Sequence, residues 1–314
     1  GKGICPVPAR RASPSNLEKL RFQASSAGRE LIRSEPAMMG ASLARLKGIP
    51  GLPVAGIFGP AATVIYLLFI GLPVLALLIR AAQHGNFLTG LVSDLALTAL
   101  RLSLITSGIS MGIILLVGTP FAYLLARNTS WILRIVDSLI ELPIVLPPVV
   151  AGVAMLMAFG RQGVLGPVLE TLGISLPFTT GAVVFAQIFV AAPFYIRSAK
   201  LGFQSVARDY EDISQTLGIS PWGTFWRLTV PLAAPSLLTG FALAWARSLS
   251  EFGATIMFAG NLMGKTQTMP LAIMTAMESS LDSALALSVL LLAGSVTILI
   301  GLGLATRPKW KNRL

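Results

Sequence analysis

Long apolar blocks alternate with shorter polar segments along this chain. The six blocks run from Pro60 to Ile79, Leu102 to Leu125, Ile140 to Phe159, Gly181 to Ile196, Leu237 to Phe258 and Ala284 to Ala305. About 20 helical residues, rising ~1.5 Å each, cross the ~30 Å hydrocarbon layer of a membrane. The pattern predicts an all-α, polytopic membrane protein with six transmembrane helices. The fourth block is the weakest, because Pro193 interrupts it.

Composition and charge agree with this prediction. Of 314 residues, 54% are apolar and 12% are charged, whereas about a quarter are charged in a soluble domain. A net charge of +11 would suggest a nucleic-acid partner in a soluble protein. With the N-terminus in the cytoplasm, however, 19 basic residues lie on the cytoplasmic side and five elsewhere, at Arg80, Arg101, Arg161, Arg247 and Lys265. This bias follows the positive-inside rule, so we expect cytoplasmic termini and no nucleic-acid partner.

The chain divides into an arm, a membrane domain and a tail. Residues 1–59 are rich in Arg, Ser, Pro and Gly, residues 60–306 carry the apolar blocks, and residues 307–314 form a basic cytoplasmic tail. We expect the arm to be disordered, or an extension that precedes a start at Met38 or Met39. An organelle-targeting or lipid-binding arm is the alternative, but Glu18, Glu30 and Glu35 fit poorly with an acid-poor transit peptide.

Few residues are suited to metal binding or covalent catalysis. Cys5 and His84 are the only cysteine and histidine in the sequence, which argues against a His/Cys metal cluster, a haem with two His ligands and a Cys–His nucleophile pair. We therefore expect no catalytic residue, metal or cofactor in this chain, and a transport subunit rather than a membrane enzyme.

The longest segment between apolar blocks, residues 199–230, has a helical pattern. Apolar residues recur at helical spacing, and the opposite side carries Lys200, Arg208, Asp209, Glu211 and Asp212. Gly218 is predicted to end a first helix, while Ser220 and Pro221 form the N-cap and first position of a second. The pattern predicts two short cytoplasmic helices joined by a tight turn. Such a hairpin could be a plain folded loop, with Trp222, Phe225 and Trp226 at the membrane interface.

The spacing within this segment resembles the EAA loop of ABC importer membrane subunits. Asp212, Ile213 and Ser214 are followed by three residues, Gly218, nine residues, Leu228, one residue, and Val230-Pro231. The family pattern is EAA, x3, G, x9, I, x, LP, so the spacings, the Gly and the Pro are retained. In that family the loop docks on a cytoplasmic ATPase. The resemblance implies this role for Asp212, Ile213, Ser214, Gly218, Ile219, Pro221, Trp222 and Pro231.

Two further segments carry unusual residues at membrane depth. Arg247 and Glu251, four residues apart and flanking Ser250, are predicted to share one helical face in the fifth span. They could form an internal ion pair or belong to an anion pathway. The third span contains Pro147 and Pro148 and cannot be straight, which favours a helix that lines a gate over simple packing.

Four motifs together extend the resemblance over Leu97 to Ala305. They are ELPIVLPPVVAG, GRQGVLG, RSLSEFGATIMFAGN and MGKTQTMPLAI, and they look like the molybdate/tungstate and sulfate group of ABC permeases, with a lean towards the molybdate branch. The resemblance implies a type I importer permease fold with six spans and a homodimer in the bacterial inner membrane; the plastid envelope is the alternative site. It also implies two ATPase subunits that use ATP and magnesium, and an external oxyanion-binding protein.

A loose nucleotide-binding motif and two rival functions remain. Ala259 to Thr266 fits a loose P-loop pattern, but it follows a membrane span and Pro270 soon interrupts it, so we expect no nucleotide site. Sulfate or thiosulfate remains an alternative substrate. An ATP-independent anion channel or carrier remains an alternative of another class, and uptake by the chain alone would favour it.

Overall fold

Every regular element in the described part of the chain is helical, which confirms the predicted all-α class. The computed structural model describes residues 53–83 and 90–305, so most of the predicted arm and the whole tail lie outside it. The helices are α1 (Pro53–Gln83), α2 (Asp94–Arg127), α3 (Trp131–Ile140), α4 (Leu142–Val145), α5 (Pro148–Phe159), α6 (Gly166–Thr171), α7 (Thr180–Ser205), α8 (Arg208–Thr216), α9 (Pro221–Leu249), α10 (Gly253–Ala259), α11 (Met269–Ser279) and α12 (Leu281–Ala305).

Five of these helices are long and apolar enough to cross a membrane, namely α1, α2, α7, α9 and α12. The predicted third block is bent: α3 and α4 form one arm and α5 the other, with 118° between them, so the described residues contain six spans if this bent pair counts as one. Pro147 and Pro148 lie at this bend and have no backbone N–H to continue the helix. The predicted third block is therefore not one helix, although the expectation that it cannot be straight is confirmed.

The fourth and fifth blocks also differ from their predicted shapes. Despite Pro193, α7 is a continuous helix of 26 residues, because neighbouring helices in a membrane can satisfy the carbonyl that a proline leaves free. Helix α9 begins at Pro221, well before the predicted fifth block, and ends at Leu249. Residues 250–252 then separate it from α10, so the block Leu237 to Phe258 contains a break.

Of the described residues, 53–73 belong to one unit and those from Val74 to another; the packing described next belongs to the second. Helix α7 contacts both α2 and α9, and small residues make this possible. A Cβ atom on Gly202 would lie 2.6 Å from Cβ of Ser236, and one on Gly240 would lie 2.7 Å from Cβ of Ser198. Such small-residue contacts are the usual way for membrane helices to approach closely.

Hydrogen bonds across these helices fix their register. The Ser110 hydroxyl donates to Oε1 of Gln187 (3.0 Å), and the indole N–H of Trp245 donates to Ser107 (3.1 Å). The hydroxyls of Thr119 and Tyr195 lie 2.6 Å apart. Because water is scarce at this depth, such bonds hold the helices in one arrangement, each worth about 0.6 kcal/mol.

Candidate functional site

The predicted hairpin is present, but its second helix is not separate. Helix α8 ends at Thr216, and Gly218 follows with a φ of +83°, a left-handed conformation that favours glycine. The Ser220 side chain then accepts a hydrogen bond from the N–H of Gly223 (3.2 Å), which confirms the predicted N-cap. From Pro221 the chain continues as α9 into the membrane span, so the prediction of a second short cytoplasmic helix was wrong.

A π-helical turn at Phe225–Thr229 allows this continuity. The N–H of Val230 donates to the carbonyl of Phe225, five residues earlier, and Pro231 follows immediately. A proline inside an α-helix leaves a carbonyl of the preceding turn without its donor. A widened turn just before the proline accommodates that loss without ending the helix.

Glu211 fixes the hairpin to the membrane helices. Its Oε1 lies 2.6 Å from a guanidinium nitrogen of Arg127 and accepts a hydrogen bond from the Thr229 hydroxyl (2.9 Å). Its Oε2 accepts from the Tyr123 hydroxyl (3.3 Å), and Arg127 also donates to the carbonyl of Val206 (3.1 Å). One carboxylate thus joins the end of α2, the start of α8 and the π turn of α9. The sequence pattern had placed Glu211 on the exposed polar side of the helix, but its side chain is buried.

A second contact closes the hairpin from inside. The hydroxyls of Ser214 and Thr224 lie 2.9 Å apart and are buried between α8 and the start of α9. Phe225 packs edge-on against Tyr123, with ring centroids 5.0 Å apart. The hairpin is therefore held by an ion pair, hydroxyl contacts and aromatic packing, and α8 cannot move independently of α9 without breaking them.

The opposite face of the hairpin is exposed and largely apolar. Leu217 is 76% exposed and Trp222 is 71% exposed, and Asp212, Ile213 and Ile219 are exposed beside them. Pro221 is also exposed. Apolar side chains on a rigid, protruding turn are typical of a protein-binding surface. Six of the eight predicted coupling residues thus lie on the hairpin's surface or turn, whereas Ser214 is internal and Pro231 lies in α9.

The predicted Arg247–Glu251 pair forms, although Glu251 lies beyond the end of α9. A guanidinium nitrogen of Arg247 lies 2.7 Å from Oε2 of Glu251, whose side chain is fully buried, while that of Arg247 is 26% exposed. Oε1 of Glu251 accepts a hydrogen bond from the N–H of Ala254 (2.8 Å). Glu251 therefore caps α10 while it holds Arg247, and the break between α9 and α10 is stabilised by both contacts.

The proline bend and this break meet in space. A Cβ atom on Gly253 would lie 2.7 Å from Cβ of Pro148, and one on Gly152 would lie 2.8 Å from the carbonyl oxygen of Ala254. Helices α5 and α10 are therefore in backbone contact. Pro147, Pro148 and Ser250 are exposed, so the junction has an open side in a single copy of the chain.

Contacts with α7 show where the junction of α5 and α10 lies along the membrane helices. Gly240 of α9 lies against Tyr195 and Ser198 in the second half of α7, and the N–H of Phe178, just before α7, donates to the carbonyl of Phe258 at the end of α10 (3.3 Å). Residues 247–253 thus lie between the two ends of α7. The hydroxyls of Ser248 and Thr255 are buried there and lack a hydrogen-bond partner within the described ranges.

Comparison with known proteins gives a consistent result. Residues 118–309 match the family described as "Binding-protein-dependent transport system inner membrane component". A molybdenum transport system permease protein, ModB, of Mycobacterium bovis is 42% identical over 240 residues, covering 76% of this chain and 90% of the relative. A sulfate transport system permease protein, CysW, of Synechococcus elongatus is 35% identical and covers 74% of this chain and 84% of the relative.

Solved structures agree at the level of fold. A bacterial alginate ABC transporter in complex with a pentasaccharide-bound periplasmic protein matches with a TM-score of 0.67 at 17% identity, over 80% of this chain and 93% of the matched chain. This confirms the fold of an ABC transporter permease, with apolar helices that cross the inner membrane several times. The chain belongs to the family of binding-protein-dependent transport system inner membrane components, and it is a transport component rather than an enzyme.

Proposed function

We propose that this chain is the permease subunit of an ATP-driven importer of a tetrahedral oxyanion, with molybdate or tungstate as substrate. The relatives support a molybdenum compound, since the molybdenum permease ModB of Mycobacterium bovis is 42% identical to this chain. CysW, at 35% identity, keeps sulfate as the second candidate, because sulfate and molybdate are tetrahedral dianions of similar shape.

The continuity of α9 carries the proposal of ATP-driven transport. One helix runs from the exposed hairpin at Pro221 to the charged break after Leu249, a distance of about 43 Å along its axis. A partner that docks on the hairpin through Asp212, Ile213, Leu217 and Trp222 can therefore shift the break by rigid-body movement. ATP and magnesium bind the partner ATPase, and this chain performs no covalent chemistry.

The junction of α5 and α10 is proposed to line the path between two copies of the chain. Ser250 and Pro147 are exposed there, and the buried hydroxyls of Ser248 and Thr255 lack partners in the described ranges. Buried polar groups without partners are rare in proteins, so a second copy or water in a cavity is expected to satisfy them. Arg247 supplies positive charge for an anion at this depth, and Glu251 holds its side chain in place.

Transport by the reconstituted complex tests the proposed function. The chain is co-expressed with its ATPase and binding protein, and uptake of labelled molybdate into proteoliposomes is measured with tungstate and sulfate as competitors. ATP-dependent uptake that tungstate suppresses more strongly than sulfate is expected. Stronger competition by sulfate would transfer the assignment to the second candidate. Uptake by the chain alone without ATP would contradict the proposal and favour a channel or carrier.

Paired substitutions separate a path role of Arg247 from a packing role. The double variant Arg247→Gln/Glu251→Gln removes both charges and leaves no buried ion without a partner. If Arg247 contacts the passing anion, uptake falls about tenfold or more, whereas the complex assembles as before. If the pair only joins α9 to α10, uptake stays near that of the unaltered chain. Arg101→Gln, on an exposed cation of α2, is the matched control.

A further inference from the structure

The two loops that carry the GRQG and MGKT sequences meet at one cavity. This cavity has a volume of about 760 Å³, and its lining includes Arg161 and Gln162 from the first loop and Lys265 from the second. Ser175 and Thr179, which precede α7, complete its polar side. The two loops are about 100 residues apart in sequence, so the cavity is a product of the fold and not of one local motif.

The first loop is rigid. A Cβ atom on Gly160 would lie 2.3 Å from the carbonyl oxygen of Leu156, and one on Gly166 would lie 2.3 Å from that of Arg161. The N–H groups of Val164 and Leu165 donate back to carbonyls at the end of α5, at 3.0 and 2.9 Å. The loop is folded tightly over the end of α5, and this fold fixes the backbone that carries Arg161.

The second loop is equally constrained. The Thr266 hydroxyl accepts a hydrogen bond from the N–H of Leu262 (2.9 Å), and the carbonyl of Lys265 accepts one from the Thr180 hydroxyl (2.8 Å). Thr266, Gln267 and Thr268 are buried. Lys265 is therefore an exposed cation at the tip of an anchored turn, although its sequence fits a loose nucleotide-binding pattern.

Charge at this cavity is unbalanced. Within the described ranges, neither Arg161 nor Lys265 has a carboxylate within 4 Å, in contrast to Arg127, Arg197, Lys200 and Arg247, which all form ion pairs. Gln162 and Ser175 add amide and hydroxyl groups. A smaller cavity that shares Arg161 has one acidic side chain in its lining, Glu170. An uncompensated pair of cations in a concave surface attracts anions.

Helix α5 connects the cavity to the break between α9 and α10, where Arg247 and Glu251 lie. Helix α5 extends from Pro148, which contacts Gly253, to Phe159 beside the cavity, a length of about 18 Å. Met157 of α5 and Phe178, whose N–H is bonded to the end of α10, both line the cavity. The cavity thus lies at the outer ends of the two helices whose inner ends meet near Arg247 and Glu251.

We propose that this cavity is a receiving site for a tetrahedral oxyanion, where Arg161 and Lys265 bind the dianion before it reaches the break between α9 and α10. The proposal rests on the proposed function for its choice of anion. Arg161 can present two parallel N–H donors to an oxyanion, and Lys265 adds a point charge. The cavity is far larger than the anion and open to water, so binding is weak and reversible, as passage through a transport path requires.

Direct binding tests the proposal apart from transport. The permease–ATPase complex, without the binding protein, is incorporated into nanodiscs, and labelled molybdate binding is measured by equilibrium dialysis. The variant Arg161→Gln/Lys265→Gln is expected to weaken binding several-fold and by up to about 25-fold, since each exposed charge contributes up to about a fivefold effect. The control Arg101→Gln removes an exposed cation that does not line this cavity and is expected to bind as the unaltered chain does.

Two results would overturn the proposal. They are no saturable binding by the unaltered complex and equal binding by the double variant. In the second case, attachment of the binding protein to the double variant is measured separately, and its loss would assign the two cations to a carboxylate of that partner. A failure of the proposed function is distinguishable, because it would abolish ATP-dependent uptake of every oxyanion by the unaltered complex whatever the binding result.

Discussion

At the scale of single residues, Glu211 joins the hairpin to two of the membrane helices. Its carboxylate contacts Arg127, Thr229 and Tyr123, and both members of the ion pair are nearly buried. Removing one partner of such a pair leaves a charge without compensation, which costs more than the pair itself contributes. The hairpin is therefore sensitive to this residue in a way that its exposed neighbours are not.

Glu211→Gln is expected to loosen the hairpin. The amide keeps the shape and can still bond to Thr229, but Arg127 loses its counter-ion, and we expect the free energy of local opening of α8 to fall by about 3 kcal/mol. Hydrogen exchange of the amides in Arg208–Thr216 measures this change. Asp212→Asn is the matched control, because Asp212 is exposed. Equal exchange in both variants would show that the ion pair does not hold the hairpin.

The burial of Glu211 could not be predicted from the sequence alone. Helical periodicity placed Glu211 with Asp212 on a polar side. The main partner of Glu211, Arg127, lies 84 residues away, so the contact depends on the tertiary fold. One weak signal was present in the sequence: Glu211 and Ser214, both buried, are three residues apart and therefore share one helical face.

At the scale of elements, the turn after α8 determines how the hairpin is presented. Gly218 has a φ of +83° and no atom within 4 Å of a built Cβ. The cost of another residue there is therefore conformational and not steric, about 1 kcal/mol for alanine. The turn also directs Ile219 and Trp222 to the exposed face.

Gly218→Ala is expected to lower substrate-stimulated ATP hydrolysis by the complex while membrane insertion is unchanged, because strain at the turn displaces the docking face. Gly173→Ala is a close control: Gly173 also has a positive φ (+70°) and open space around it, but lies outside the hairpin. If the two variants reduce ATP hydrolysis equally, the effect reflects general strain. Normal hydrolysis in Gly218→Ala would contradict a coupling role for the turn.

A second prediction at the scale of elements concerns the close contact between α5 and α10. A Cβ on Gly152 would approach Cβ of Met257 to 2.7 Å and the Ala254 backbone to 2.8 Å, so Gly152→Ala must push the helices apart, at about 1–3 kcal/mol. We expect lower oxyanion uptake with normal assembly. Gly108→Ala, at a site in α2 with nothing within 4 Å, should have no effect. Full uptake by Gly152→Ala would show that this close approach is dispensable.

The membrane helices could be predicted from the sequence where hydropathy alone defines them. Five of the six apolar blocks correspond to a helix long and apolar enough to cross a membrane, because burying about 20 residues in lipid dominates the local free energy. The pattern could not give the breaks. Pro147 and Pro148 predict a bend but not its 118° angle, and Pro193 lies inside a continuous helix. The outcome at each proline depends on neighbours that are distant in sequence.

At the scale of the whole molecule, the predicted topology places α6 outside the cell and the α2–α3 connection inside. Thr171, at the end of α6, and Thr129, between α2 and α3, are both exposed. The sequence has one cysteine, at position 5, so a Cys5→Ser background allows single labels at either threonine.

Thr171→Cys is expected to react with a membrane-impermeant maleimide in intact cells, and Thr129→Cys only after the membrane is permeabilised, because the charge pattern orients the spans this way. Gel-shift labelling in the Cys5→Ser background measures both. The reverse pattern would invert the topology and place the Arg161 cavity in the cytoplasm, and it would contradict the proposed receiving site as well.

The continuity of α9 has a mechanical consequence. Its backbone comes close to α7 at Ser236 and Gly240, so this region can serve as a fulcrum for a stiff rod. The arm from Trp222 to Gly240 is about 27 Å and the arm from Gly240 to Arg247 is about 10 Å. If α9 pivots there as a rigid body, a displacement of the hairpin moves the end of α9 in the opposite direction by about 40% of that distance. Residues 250–252 would then bend to accommodate the movement of α9 relative to α10.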